Sequence, residues 1–195
     1  METQASRWSW AKIARRIRVP LSFLFAVAYV WLAAPTALSL AVGIPIAAVG
    51  LALRASAAGH VRKDRELTTS GPYAYTRNPL YLGSLIIGIG FAIVARSVWI
   101  IIALLALLIA IYWPLILAEE RYLRTTFPGY DEYAMQTPRL IPRLGVSRNL
   151  KLETRNAFSR DLYRRHREYR ALLGAIIVCA ILIAKMLLGG RICSR

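Results

Sequence analysis

Three stretches of the chain carry no charged residue: Val19 to Leu53 (35 residues), Asn78 to Ala95 (18 residues) and Ser97 to Ala118 (22 residues). About 20 apolar residues in a helix cross a hydrocarbon layer of about 30 Å, so these are lengths of membrane spans rather than of core helices. Pro35 and Thr36 divide the first stretch, which predicts two spans, over 18–34 and 37–53, joined by a very tight turn. Spans three and four are predicted over 79–95 and 97–118, separated by little more than Arg96. A fifth covers 171–190 and is interrupted by Lys185, whose long stem can reach toward the interface. Pro114 removes a backbone hydrogen bond near the end of span four and predicts a kink or an opened carbonyl there. A basic start before an apolar run is also how a signal peptide begins, but this run continues into a second span instead of stopping at a small-residue cleavage site.

Between the spans lie two polar segments, 54–78 and 119–170. In the second, Phe158, Leu162 and Tyr169 recur at near-helical spacing among six arginines, which predicts an amphipathic juxtamembrane helix over 150–170 lying on anionic lipid. A lipid-headgroup sensor is the sharper alternative. The pattern as a whole is all-α: an integral membrane helical bundle of about five transmembrane helices with cytoplasmic helical and loop segments, forming one domain over 1–195.

Composition adds direction. The chain is 57% apolar and 18% charged, yet 26 Lys and Arg against 10 Asp and Glu leave +16. Of those 26 basic residues, 22 fall in the first 18 positions and in 54–78 and 119–170, leaving Arg96, Lys185, Arg191 and Arg195. By the positive-inside rule the N-terminus and both polar segments are cytoplasmic and the C-terminus is outside, as in a multi-pass protein of a bacterial inner membrane or an equivalent. Anionic lipid headgroups account for the positive charge, so a nucleic-acid partner is not expected. The two histidines, His60 and His166, are 106 residues apart, and Cys179 and Cys193 form no CxxC pair. No metal site is expected from such a set.

The chemistry-bearing residues gather at the two cytoplasmic ends of the hairpin made by spans three and four. One end reads Gly71-Pro72-Tyr73-Ala74-Tyr75-Thr76-Arg77-Asn78-Pro79-Leu80-Tyr81-Leu82-Gly83, and the other Glu119-Glu120-Arg121-Tyr122-Leu123. Singly, each piece has a structural explanation: a turn, a helix cap followed by proline, interfacial tyrosines, a pair of solvated carboxylates. Together they suit a ligand carrying both signs of charge and an aromatic base. Arg77 can pair a carboxylate, a glutamate can take a ribose hydroxyl or an ammonium, and tyrosine faces can hold a sulfonium. S-adenosylmethionine has all of these parts.

These motifs, with Phe127, Tyr130, Tyr133 and Pro138-Arg139-Leu140-Ile141-Pro142, resemble the isoprenylcysteine carboxyl methyltransferase and phospholipid methyltransferase superfamily over about residues 54–143. The resemblance implies a membrane-embedded methyltransferase with S-adenosylmethionine entering from the cytosol, and makes 54–78 and 119–143 the cofactor-binding segments. It lines the cofactor pocket with Arg65, Glu66, Leu67 and Thr68, places the turn tyrosine at Tyr73, and puts the His-Pro-x-Tyr motif on Asn78, Pro79, Leu80 and Tyr81. The cofactor-binding glutamate falls on Glu119. Gly88-Ile89-Gly90 matches a Gly-x-Gly of the phospholipid-methylating branch, although glycines so placed in a span commonly serve helix packing. The chain departs from the family at Asn78, where the family has His, at Leu115, where prenylcysteine enzymes place a substrate-binding Arg, and at Phe127-Pro128-Gly129-Tyr130, one residue short. These departures argue against a prenylcysteine acceptor.

A lipid amine, thiol or carboxylate could enter sideways from the bilayer while the cofactor docks from the cytosol. Glu120 is the candidate base for an acceptor that must lose a proton, and Asn78 the second candidate at the reacting centre, its side chain expected to turn back onto a helix amide. Two other readings stay open: a membrane reductase of the sterol-reductase type, and a non-catalytic protein that retains the scaffold. Oligomeric state is not legible.

Overall fold

The computed structural model describes residues 24–62, 65–142 and 157–192. Among them the regular structure is helical: α1 over 24–32, α2 Ala37–His60, a 3-10 turn Gly71–Ala74, α3 Pro79–Ala95, α4 Val98–Leu107, α5 Trp113–Thr126, α6 Tyr130–Gln136, α7 Arg160–Arg165 and α8 Tyr169–Ile192. No strand occurs among the described residues.

Three helical stretches are long and apolar enough to cross a membrane: Ala37–His60, Val98–Thr126 and Tyr169–Leu188. The third predicted span, α3, has 17 residues, about 25 Å at 1.5 Å per residue, short of the hydrocarbon thickness by an amount that local thinning accommodates. The predicted first span, 18–34, is described from residue 24 onward. Boundaries move outward where a helix continues past the apolar layer into water. The second span reaches His60 instead of stopping at 53, and so takes Arg54 into α2. The helix of the fourth runs on to Thr126 rather than 118.

The turn between α1 and α2 is fixed by reciprocal bonds: Ser39 N–H donates to Thr36 Oγ1 at 3.2 Å, and Thr36 N–H to Ser39 Oγ at 2.9 Å. Ala34 N–H donates to the Ala95 carbonyl at 2.9 Å, pinning this turn to the far end of α3. Lys185 of α8 ends there too. Its ammonium donates to the carbonyls of Val30 (2.8 Å), Trp31 (3.0 Å) and Ala33 (2.7 Å), so it caps the end of α1.

α2 and α3 pack along their whole length through small residues. A Cβ on Gly50 would stand 2.7 Å from the Gly83 carbonyl oxygen, and one on Gly90 would stand 2.6 Å from that of Gly43. Gly90 is therefore a packing glycine, whereas Gly88, its partner in the Gly-x-Gly, faces Leu104 and an apolar cavity. α3 ends at Arg96, in the left-handed conformation with φ 53°. Pro114 sits in the first turn of α5. The helical ladder widens to a π turn over Leu108–Tyr112 just before it, so the predicted irregularity falls where expected and takes this form.

At the opposite end of the bundle, Ser159 N–H donates to the Gly59 carbonyl at 2.9 Å and His166 Nδ1 lies 3.1 Å from the Ala58 carbonyl, so the segment before α8 docks on the end of α2. Of the predicted amphipathic helix over 150–170, residues 150–156 lie outside the described residues. The remainder forms the six-residue α7, and Arg167, with φ 55°, separates it from α8. Phe158 lies edge-on to His60 at 6.1 Å and against Gly59 of α2, with about half of its surface left exposed.

Candidate cofactor and acceptor site

The site forms where the start of α3 meets α5 and the segment after α6. Pro79 is the first residue of α3 and has no N–H to offer, and the chain enters the helix through the irregular stretch 76–78. A strap over 138–140 lies across that stretch. Arg77 N–H donates to the Pro138 carbonyl at 2.9 Å, and Thr76 Oγ1 donates to the carbonyls of Arg139 (3.3 Å) and Leu140 (3.0 Å).

Adjacent residues on a helix point about 100° apart, which splits the paired carboxylates of α5 into different surroundings. Glu120 is buried, 4% exposed, and receives almost everything the strap and the α3 start can donate. Asn78 Nδ2 donates to its Oε1 at 3.3 Å, and Arg139 Nε reaches both oxygens at 3.1 and 3.0 Å. Arg139 Nη2 pairs with it at 3.0 Å and Arg77 Nη1 at 3.5 Å. Arg139 in turn lies over the Trp113 ring, 5.6 Å from its centroid. Glu119 is half-buried and accepts one hydrogen bond, from the Tyr81 hydroxyl at 2.9 Å. The Tyr81 ring meets Tyr112 edge-on at 5.9 Å.

Asn78 corrects one expectation. Its side chain makes no capping bond to α3; the amide instead donates to Glu120 and, at 2.9 Å, to the Arg139 carbonyl. Two acceptors lie forward of it, one of them a carboxylate between two guanidinium groups, and that outweighs a single cap.

Other predicted positions assemble around a tyrosine cluster. Tyr73 is buried, and its carbonyl accepts from the Tyr133 hydroxyl at 2.7 Å. Burial above all, then the negative charge of Glu119, raises the Tyr73 phenol far above its ordinary range, so it stays a neutral donor at any physiological pH. Burial does the same to Tyr133; it also raises Tyr130, where Glu120 adds to the rise and Arg77 opposes it. Leu67 packs on Tyr130 and Tyr133. Thr68 is buried and accepts from the Arg62 N–H at 3.3 Å, Pro79 is fully buried, and the Leu80 carbonyl receives Arg54 Nη1 at 3.3 Å. Arg65 is exposed, and Glu66 pairs with Arg62 at 3.4 Å, so these two lie on the rim, outside the Glu120 cluster.

Sequence reading gave no role to Arg139, although it belongs to a quoted motif. The available signal was electrostatic: two adjacent carboxylates at the end of a span need a counter-charge, and a lone arginine between Pro138 and Leu140 can supply it. Arg54 was missed because it was counted with a loop.

An apolar cavity of about 350 Å³ opens between α1, α3, α4 and α8, lined by Phe25, Tyr29, Ile87, Phe91, Leu104 and Val178, with Arg54 and Ser84 as polar members. A smaller one of about 40 Å³ shares Ser84, Leu104, Leu107 and Tyr112 with it and reaches Tyr81. The two are neighbours through these shared residues, and Tyr81, whose hydroxyl bonds Glu119, lines the smaller. Among the described residues no group of three or more His, Cys, Asp and Glu is placed to hold a metal ion.

Residues 38–129 match the family model described as phospholipid methyltransferase. The chain is 40% identical over 88 residues to the cobalt-zinc-cadmium resistance protein CzcN of Cupriavidus metallidurans, covering 45% of this chain and 40% of that protein. It is 37% identical over 89 residues to the nickel-cobalt-cadmium resistance protein NccN of Alcaligenes xylosoxydans xylosoxydans, covering 45% of this chain and 41% of that protein. The matched part thus spans about two fifths of the length of these curated relatives. No solved structure matches the chain. The matched stretch, 38 to 129, carries α2 to α5 and the paired glutamates, so the similarity to phospholipid methyltransferases falls on the segments whose motifs resemble that superfamily, in a chain whose described regular structure is helical.

Proposed function

We propose that this protein is a membrane methyltransferase that takes S-adenosylmethionine at the cytoplasmic end of α3 and α5 and a lipophilic acceptor, a lipid amine, thiol or carboxylate, from the bilayer. The observation that carries the reading is that two neighbouring apolar cavities share Ser84 and Tyr112 and that the smaller is lined by Tyr81, the hydrogen-bond partner of Glu119. Together they would bring a lipid-soluble group close to a half-buried carboxylate flanked by aromatic faces.

The residues at that end suit the cofactor. Glu119 keeps acceptor capacity for a ribose hydroxyl or an ammonium, and Tyr81 and Tyr112 offer ring faces to a sulfonium. Arg77 and the Tyr130 hydroxyl face one another in the buried part of the site, so a guanidinium and a phenol stand together where a carboxylate or a fixed water could join them. Tyr73, Asn78, Pro79 and Leu80 shape the wall, and Leu67 and Thr68 back it from the other side, with Arg65 and Glu66 at the rim.

S-adenosylmethionine, when bound, supplies an electrophilic methyl group on sulfur. The chain's own residues align and exclude water, and alignment of this kind can lower a barrier by several kcal/mol. Glu120 fits a positioning role better than that of a base: both its oxygens are taken by Arg77, Arg139 and Asn78. Asn78, tied to the same carboxylate, holds the α3 start against the strap. Glu119, with one hydrogen bond, is the better proton acceptor of the pair.

The names of the two relatives favour a second reading, a part in resistance to cobalt, zinc, cadmium or nickel. Growth of a deletion strain on those metals would test it. The enzymatic reading is tested by incubating the purified protein with radiolabelled S-adenosylmethionine and a membrane lipid extract. Label moving into the organic phase, and lost in Glu119→Ala, is expected; label remaining entirely in water would overturn it.

A further inference from the structure

Arg54 is the one Lys, Arg, Asp or Glu within α2. It lies where α2 leaves its apolar stretch, and a largely buried charge in such a place is held by its partners. Arg54 is saturated. Its Nε and Nη2 reach Glu168 Oε2 and Oε1 at 3.0 and 2.8 Å, a two-pronged ion pair, while Nη1 donates to Ser84 Oγ and to the Leu80 carbonyl. The pair is 24% and 12% exposed.

Its position gives this pair a second meaning. Arg54 and Ser84 stand at the boundary of the 350 Å³ apolar cavity, whose other walls are almost entirely hydrocarbon. Glu168 lines a separate cavity of about 250 Å³ with Ala48, Leu51, Tyr163 and Leu172, so it has space on the side away from Arg54. Glu168 follows Arg167, held in the left-handed conformation at φ 55°, and precedes α8. α8 is the least embedded of the three long spans, with 6% of its apolar window buried, and a Cβ at Gly174, which lines the cavity, would meet nothing within 4 Å. An anionic group entering the cavity would find one guanidinium whose present partner is a carboxylate in the turn between α7 and α8, with a second cavity beside it.

Resting on the acceptor reading above, we propose that the cavity takes a single-chain amphiphile with an anionic headgroup, a carboxylate or a phosphate, and that Arg54 receives the headgroup in exchange for Glu168. The apolar chain lies among Phe25, Phe91, Ile87 and Leu104. A volume of about 350 Å³ is at the small end for ligand sites and suits one chain rather than two. Glu168 thereby acts as an internal competitor: it neutralises Arg54 while the site is empty and sets how strongly charge at the headgroup is rewarded.

The test uses the full chain in phosphatidylcholine nanodiscs, without S-adenosylmethionine, titrated with three fluorescent probes sharing one alkyl chain and ending in carboxylate, phosphate or hydroxyl. The wild type is expected to bind at least one anionic probe about tenfold or more tighter than the alcohol, the preferred probe identifying the headgroup. Glu168→Gln is expected to tighten that probe about tenfold further and leave the alcohol unchanged, and Arg54→Gln to bind all three alike. Equal binding of the three probes by the wild type, or weaker anionic binding in Glu168→Gln, would overturn the proposal. Should Arg54→Gln not fold, the Glu168→Gln arm decides. Parallel transfer assays separate this from the enzymatic reading: methylation of lipids without anionic preference sinks the headgroup site alone, and anionic preference without methylation sinks the enzymatic reading alone.

Discussion

Glu119 and Glu120 share a sequence context and differ in everything that their side chains touch. The carboxylate of Glu120 lies among two guanidinium groups and an amide, and removing one member of such a buried cluster leaves the others uncompensated at about 3–5 kcal/mol. Glu120→Ala should therefore lower the thermal unfolding midpoint in detergent by many degrees, and Glu120→Gln by less; a variant as stable as the wild type would show the cluster to be solvated. Asn78→Asp should be worse for stability than Asn78→Ala, because it sets a second carboxylate against Glu120 and the Arg139 carbonyl, 3.3 and 2.9 Å from the present amide nitrogen. The same unfolding series would reveal the opposite order if Asn78 were instead capping α3. Asn78→His can keep one of the two donated bonds and should fold, with turnover within about tenfold of the wild type in a transfer assay.

At the scale of elements, backbone contact between α2 and α3 depends on glycine. Gly50→Leu would force a side chain against the Gly83 carbonyl and Ile87, and overpacking of this kind costs about 1–3 kcal/mol or more. It should lower the unfolding midpoint or shift the protein to aggregates on size-exclusion chromatography, and an unchanged profile would show that the helices part without penalty. Spans were legible because uncharged runs of this length have few other uses. Helix ends were not, since hydropathy stops at the edge of the hydrocarbon while hydrogen bonding continues, which is why Arg54 was read as loop and belongs to α2. The π turn was half-legible: Pro114 announced an irregularity but not that the ladder would absorb it a turn earlier, over Leu108–Tyr112. At the site, the sequence named Arg77, Asn78, Tyr81, Glu119 and Glu120. It could not tell which glutamate would take the arginines, because that depends on a strap 19 residues further on whose Arg139 reaches Glu120.

For the whole molecule, the described contacts fall at two ends. Ala34, Ala95 and Lys185 meet at one, and Gly59, Asn78, Glu120 and Ser159 belong to the other. The partition of basic residues predicts an N-terminus inside and a C-terminus outside. In intact cells a membrane-impermeant maleimide should label native Cys193 and spare Asp131→Cys placed in a Cys193→Ser background; the reverse pattern would invert the orientation.

The central claim is that the Tyr81–Glu119 end holds S-adenosylmethionine, and calorimetric titration of the purified protein with that compound tests it most directly. Saturable binding is expected in the wild type, weakened about tenfold to a hundredfold in a folded Glu119→Ala variant, the loss of one charge-assisted hydrogen bond. Absence of binding to the folded wild type, or equal affinity in both proteins, would contradict it.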